Sequence, residues 1–266
     1  VTPRPGGQLL DLGSHRTVAL VRGPDDAETV CFVHPLGLDR QAFDLVVDRL
    51  AATWRCVTFD QRGHGAADAA PESIAIGTLA GDVVGVLDHL GAHRAHLVGH
   101  SLGGAVAATA AATAPGRFAS LVLMATPDVG GPVFRERAEA AELHGLAPQL
   151  APTLERWFSP VLRDASQAGV AYATRCLQAM SVPAWAACWR ALSDFPGYGG
   201  LAGRLPATRC VAGGEDASTP PATLGRIAAL TGADLAVVPA AGHLLTWEEP
   251  GAVAALLAEH WRRAPV

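Results

Sequence analysis

Short apolar runs alternate with segments of helical period along most of this chain, and that rhythm leaves few folds open. "TVCFV" (29–33) is continuously apolar, as expected of a strand buried on both faces. Phe43, Val46, Val47 and Leu50 then recur at helical spacing. "WRCVTF" (54–59) reads as another strand, and Ile76, Leu79, Val83, Val84, Leu87 and Leu90 mark one helix face. "AHLVG" (95–99) precedes a helix of small residues, and "SLVLMA" (120–125) follows it. Strand and helix in turn imply a parallel sheet with right-handed crossovers. Two runs nearer the start, "QLLDL" and "HRTVALV", are joined by a Gly-Ser turn and suit an antiparallel edge.

The rhythm stops between residues 130 and 203. This segment is rich in Ala, Glu, Arg and Trp, with prolines at 132, 148, 152, 160, 183 and 196. It reads as short helices laid over one end of the sheet as a lid. Strands resume with "TRCVAGG" (208–214) and "ADLAVV" (233–238), separated by a helix from Pro221 to Leu230. A closing helix presents Val253, Leu256, Leu257 and Trp261. The expected architecture is α/β: a mostly parallel, eight-stranded sheet flanked by helices. Residues 1–129 and 204–266 form its core, and the helical lid 130–203 is inserted after the sixth strand.

Composition narrows the chemistry. The 266 residues carry a net charge of -5, which offers nucleic acid no cationic surplus. All twenty basic residues are arginine, so Schiff-base, pyridoxal-phosphate and phosphate-loop lysine chemistry is excluded. Five cysteines without a CxxC pair are expected to be buried free thiols in a reducing compartment. The opening "VTPRPGGQLL" lacks a basic-then-apolar signal pattern, and no apolar stretch is long enough to span a membrane. A cytoplasmic protein acting on a small molecule is expected, with no metal or other cofactor and an oligomeric state left open.

The segment "GHSLGG" (99–104) places Ser101 between a strand and a helix in the pattern Gly-x-Ser-x-Gly. A serine on so sharp a turn has a strained backbone, and its neighbours two residues away must lack side chains. The turn aims the Leu102 N–H and the helix N-terminus at the serine oxygen. A dinucleotide fingerprint or phosphate loop needs other glycine spacings, and a structural serine in a tight turn is the plainer alternative. A nucleophilic serine needs a base. His243 in "PAAGHLLTWEEP" follows the last strand, at the end where open α/β sheets bind ligands. His64 in "DQRGHG" comes second and suits a turn-stabilising loop residue better. Asp216 in "VAGGEDASTPP" is the expected partner of the base, with Asp128 as the alternative acid and Glu215 pointing away. The loop "HPLG" (34–37) should add a second oxyanion donor; Pro35 has no N–H, which leaves Leu36 beside Leu102. His34 heads that loop and His100 adjoins the serine; both are candidates for substrate contact, and His100 is expected either buried or lining the pocket.

Through "HPLG", "FDQRGHG", "GHSLGG", "VAGGEDASTP" and "GHLLTWEEP" the sequence resembles the α/β-hydrolase superfamily from end to end. With "RWFSP" (156–160) and the run beginning "PAWAACWRALSDFPGYGG", it looks most like the 3-oxoadipate enol-lactonase group. That resemblance implies an α/β-hydrolase fold and cofactor-free hydrolysis of a small carboxylate-bearing lactone or related ester. It implies Ser101 as nucleophile, Asp216 as acid and His243 as base, in the chain order such folds use. It also sets Phe134, Arg137 and Trp157 over the substrate; a surface arginine and a packing tryptophan are the plainer readings of the last two. The chain departs from the group at "HPLG", where serine usually precedes Leu-Gly, at Phe134 in place of tryptophan, at His100 in place of leucine, and in the added glycine of "AAGHL". A tailoring or carbon–carbon bond hydrolase of the same fold is the alternative activity, and a non-catalytic ligand-binding member of the fold is a third reading.

Overall fold

The computed structural model describes residues 7–159, 167–264 and 266, so Pro160 of "RWFSP" and the first six residues lie outside the described residues. Eight strands form one sheet: β1 (Gln8–Asp11), β2 (Arg16–Arg22), β3 (Thr29–Val33), β4 (Arg55–Phe59), β5 (Ala95–His100), β6 (Phe118–Met124), β7 (Ala207–Gly213) and β8 (Asp234–Val238). Their order is β1-β2-β4-β3-β5-β6-β7-β8. The first two join antiparallel, and every pairing from β4 to β8 is parallel. The order reverses at β3, which has β4 on one side and β5 on the other. Such a switch point opens a crevice outside the carboxyl ends of the two strands.

The fully apolar runs occupy the middle of the sheet. All residues of β3, β5 and β6 are buried, including His96, Ser120 and His100. One face is covered by α1 (Asp44–Leu50) and the closing helix Pro250–Arg262. There Phe32 lies 5.0 Å from Phe43, and Trp54 lies 5.0 Å from Trp261. The other face is covered by α2 (Ile76–His89) and α3 (Leu102–Thr113). Helix α3, "LGGAVAATAAAT", is buried over nearly its whole length, as an all-round apolar helix must be. Its small side chains let it lie close against the sheet.

Between β6 and β7 the chain runs through α4 (Pro132–His144), α5 (Ala147–Trp157), α6 (Gln167–Ala179) and α7 (Val182–Ser193). Helix α4 packs along α7, with Phe134 stacked on Trp189 at 5.5 Å. The remaining helices are α8 (Pro221–Thr231), the one-turn α9 (Leu245–Glu248) and α10, the closing helix Pro250–Arg262. Four cysteines are buried and unpaired as expected; Cys176, on α6, is half-buried, its thiol 3.7 Å from an Asp39 oxygen. No helix among the described residues is long and apolar enough to cross a membrane.

Candidate active site

Ser101 stands where β5 ends and α3 begins, with φ 55° and ψ −118°. This left-handed backbone costs roughly 1–3 kcal/mol in a non-glycine residue, so its surroundings must hold it. They do so through three hydrogen bonds. Its N–H donates to Met124 C=O at 2.9 Å; its C=O accepts from Gly104 N–H at 2.9 Å and from Thr126 Oγ1 at 2.8 Å. The flanking glycines are required by contact. A Cβ on Gly99 would stand 2.1 Å from the Gly103 carbonyl oxygen, and one on Gly103 would stand 2.1 Å from that of Val33.

Asp216 follows β7 and is nearly inaccessible, with 4% exposure. Its Oδ1 accepts from the N–H groups of Ser218 (2.7 Å) and Thr219 (2.9 Å). Its Oδ2 accepts from the Thr219 hydroxyl (2.6 Å) and from His243 Nδ1 (2.9 Å). Burial alone would raise this carboxyl, but the His243 charge and the bonds from His243 and Thr219 outweigh it and hold the group down at about 2. An ionised carboxylate only accepts, so Nδ1 of His243 carries a proton and Nε2 is the nitrogen left for the cleft. The two alternatives do not join this pair. Asp128 accepts from Arg226 at 2.6 Å, and Glu215 is exposed to solvent.

Ser101, His243, Thr219 and Leu36 border one cleft of about 460 Å³, its open mouth included. Phe134, Arg137, Arg156, Trp157 and Trp189 border it from the helices between β6 and β7. Trp157 also stacks on the His243 ring, with centroids 6.3 Å apart. The Arg137 guanidinium lies over Trp189, 4.8 Å from the ring centroid. Burial and the neighbouring charge of Arg156 lower Arg137 to about 10, which leaves it charged at neutral pH. Arg156 donates to Thr153 Oγ1 at 3.1 Å. Among the described residues neither arginine has a carboxylate partner.

The two candidate histidines do not border that cleft, and His100 takes the buried alternative expected for it. His34 is fully buried behind the cleft: its Nε2 accepts from the Gln61 N–H (2.9 Å) and its Nδ1 donates to Pro35 C=O (2.8 Å). It fastens the loop that carries Leu36, and Gln61 adds a bond from its side-chain amide to His34 C=O at 2.7 Å. His100 is also fully buried, and its Nε2 donates to the backbone carbonyl of His243 at 2.8 Å. Neighbouring strand residues point to opposite faces, so a histidine beside the serine is turned away from the cleft. His64 is buried beside His34, with ring centroids 4.9 Å apart, and its Nδ1 donates to Arg62 C=O at 2.9 Å. Leu102 is buried and begins α3, directly after Ser101.

Arg156 and Glu248 escaped the reading of the sequence. Arg156 adjoins Trp157 at the end of an amphipathic helix, where charge reads as solvent-facing. Glu248 stands in "WEEP", an ordinary acidic helix start, yet it reaches back to the backbone of Gly242 and Ser159.

Comparison with known proteins agrees with this architecture. Residues 28–250 match the alpha/beta hydrolase fold family. The protein belongs to the alpha/beta-hydrolase family. Within it the sequence resembles 3-oxoadipate enol-lactonase 1 of Acinetobacter baylyi, 35% identical over 144 residues, 52% of this chain and 53% of that protein. The match thus spans about half the length of that relative. A hydrolase from Pseudomonas aeruginosa PA01 superimposes with a TM-score of 0.90 at 27% identity, over 97% of this chain and 99% of its own. The enol-lactonase from Burkholderia xenovorans LB400 shares the fold, with a TM-score of 0.90 at 23% identity over 96% and 100% of the two chains.

Proposed function

We propose that this protein is a serine hydrolase of small esters or lactones, similar in its reaction to the 3-oxoadipate enol-lactonases. The observation that carries the reading is the Asp216–His243 pair: its free imidazole nitrogen belongs to the cleft that Ser101 borders, at the switch point of the sheet. In this reading Ser101 Oγ attacks the ester carbonyl while His243 Nε2 takes its proton. The N–H groups of Leu36 and Leu102 hold the oxyanion, and each is worth about 3–4 kcal/mol at the transition state. Collapse breaks the bond to the alcohol or enol oxygen, which receives the proton from His243. Water, deprotonated by His243, then attacks the acyl-serine, and His243 returns the proton to Ser101 Oγ as the acid is released.

Residues 130–203 serve as a lid over the core formed by 1–129 and 204–266. Arg137 pairs with a carboxylate of the substrate, since a guanidinium left without a carboxylate in an aromatic cleft fits an anionic ligand. The test is labelling with a fluorophosphonate together with turnover of p-nitrophenyl acetate and 3-oxoadipate enol-lactone. Wild type is expected to label and turn over, and Ser101→Ala to do neither. Equal labelling of the two proteins refutes the nucleophile.

A further inference from the structure

We propose that Glu248 is a positioning residue, which sets the place of His243 by clamping the end of α5 to the histidine loop. The inference rests on His243 being the general base. Glu248 closes α9, directly after that loop. Its Oε2 accepts from the N–H of Gly242, the residue before the histidine. Its Oε1 accepts from the N–H of Ser159, two residues beyond the end of α5, at 3.1 Å. One carboxylate thus joins two chain segments far apart in sequence, with one oxygen accepting from each.

The same contact is fastened from the helix side. The last carbonyls of a helix lack partners within it. At the end of α5, Trp157 C=O accepts from the Leu244 N–H at 3.1 Å, on the other flank of His243. Arg156 C=O accepts from the Ser218 hydroxyl at 3.5 Å, in the turn that carries Asp216. His243 is therefore held on both sides of its own backbone by α5 and Glu248, while the Trp157 ring stacks on its imidazole. The added glycine of "AAGHL" belongs to this clamp. A Cβ at Gly242 would stand 3.0 Å from Ser159 N, 3.2 Å from Trp157 O and 3.2 Å from a Glu248 oxygen. A side chain there would oblige these neighbours to give by a few tenths of an ångström.

The position of a base matters steeply: a misplacement of about 1 Å can cost about 100-fold in rate. Glu248→Gln keeps the size of the side chain but turns an NH2 group toward one of the two backbone donors, so one half of the clamp opens. With p-nitrophenyl acetate, E248Q is expected to lower kcat by about 10- to 100-fold while KM moves far less. The acid limb of its pH–rate profile should shift to lower pH, because an imidazolium displaced from Asp216 is less stabilised. Gly242→Ala keeps the carboxylate and wedges the same contact, so it should reproduce both changes; it decides the matter if E248Q does not fold. Glu249→Gln is the control for charge alone. Wild-type kcat and an unmoved acid limb in a folded E248Q or G242A overturn the inference, as does an equal loss in E249Q. A serine that resists the fluorophosphonate in wild type refutes the hydrolase reading itself, which is a separate outcome.

Discussion

On the sheet side of the cleft, Asp216 commits both oxygens to four hydrogen bonds, and His34 and His100 each anchor a neighbouring loop through the backbone. On the side of the inserted helices, Arg137 and Arg156 face the same cleft with aromatic rings and a threonine hydroxyl for company. The sheet side is anchored: Asp216, His34 and His100 already hold partners within the protein, so their placement is fixed before a ligand arrives. The helical side leaves positive charge in a half-buried space, where an unpaired cation is costly until an anion enters. In the proposed reading, reaction chemistry and ligand choice thus fall to different parts of the chain. Exchanging charge on one side should therefore alter rate, and on the other should alter which substrate is taken.

The largest effect belongs to the sheet side. Asp216→Asn removes the acceptor that fixes the His243 tautomer, and a change of this kind costs about 10⁴-fold in kcat. Asp128→Asn breaks only the pair with Arg226 and should stay within about threefold, as surface pairs contribute little. Steady-state kinetics on the two variants decides between them. If D128N abolishes turnover and D216N does not, the sheet side has been assigned to the wrong acid.

The two sides also differed in how well the sequence disclosed them. The strands were legible because each is an apolar run bounded by turn residues, and runs such as "TVCFV" admit no amphipathic alternative. Ser101, Asp216 and His243 could be singled out because each lies within a few residues of the end of a strand, and strand ends converge on one edge of a parallel sheet. The direction of a histidine ring is not written in residue type. His100 adjoins the serine and His34 heads the loop that carries Leu36, yet both rings turn behind the cleft wall to backbone partners. Burial of Arg156 and the reach of Glu248 depend on how α5 docks against the histidine loop. That contact joins segments about ninety positions apart, and no local pattern encodes it.

A smaller effect should come from the helical side. Arg137→Met preserves much of the packing on Trp189 and removes the charge. A charge-assisted hydrogen bond contributes about 1.5–3 kcal/mol, which corresponds to about 10- to 100-fold in affinity. R137M should raise KM by that factor for an ester bearing a carboxylate and change it less than about threefold for p-nitrophenyl acetate. An equal change for both esters would make Arg137 a packing residue and erase the contrast between the two sides.

The smallest effect at neutral pH, and the one that grows on acidification, lies in the histidines behind the sheet side. Burial pushes His100 and His64 down to about 3, with His243 and His34 respectively adding to the shift. Their folded values lie below the unfolded value of about 6.5, so the unfolded chain binds more protons once the pH falls below that point. Their contribution to stability is complete above about pH 6.5 and declines as pH drops toward 3. Each such imidazole adds a slope of about 1.4 kcal/mol per pH unit within that window. Asp216 behaves differently: its folded value of about 2 lies below the ordinary carboxylate range, so its contribution is lost only under pH 4. His100→Gln retains a donor for the His243 carbonyl without the titrating ring. Urea melts between pH 7.5 and 4.5 should show H100Q matching wild type at the upper end and losing stability less steeply below 6.5, by about one proton's worth. Parallel slopes for the two proteins would mean that His100 titrates freely, and that the wall behind His243 is wetter than its hydrogen bonding implies.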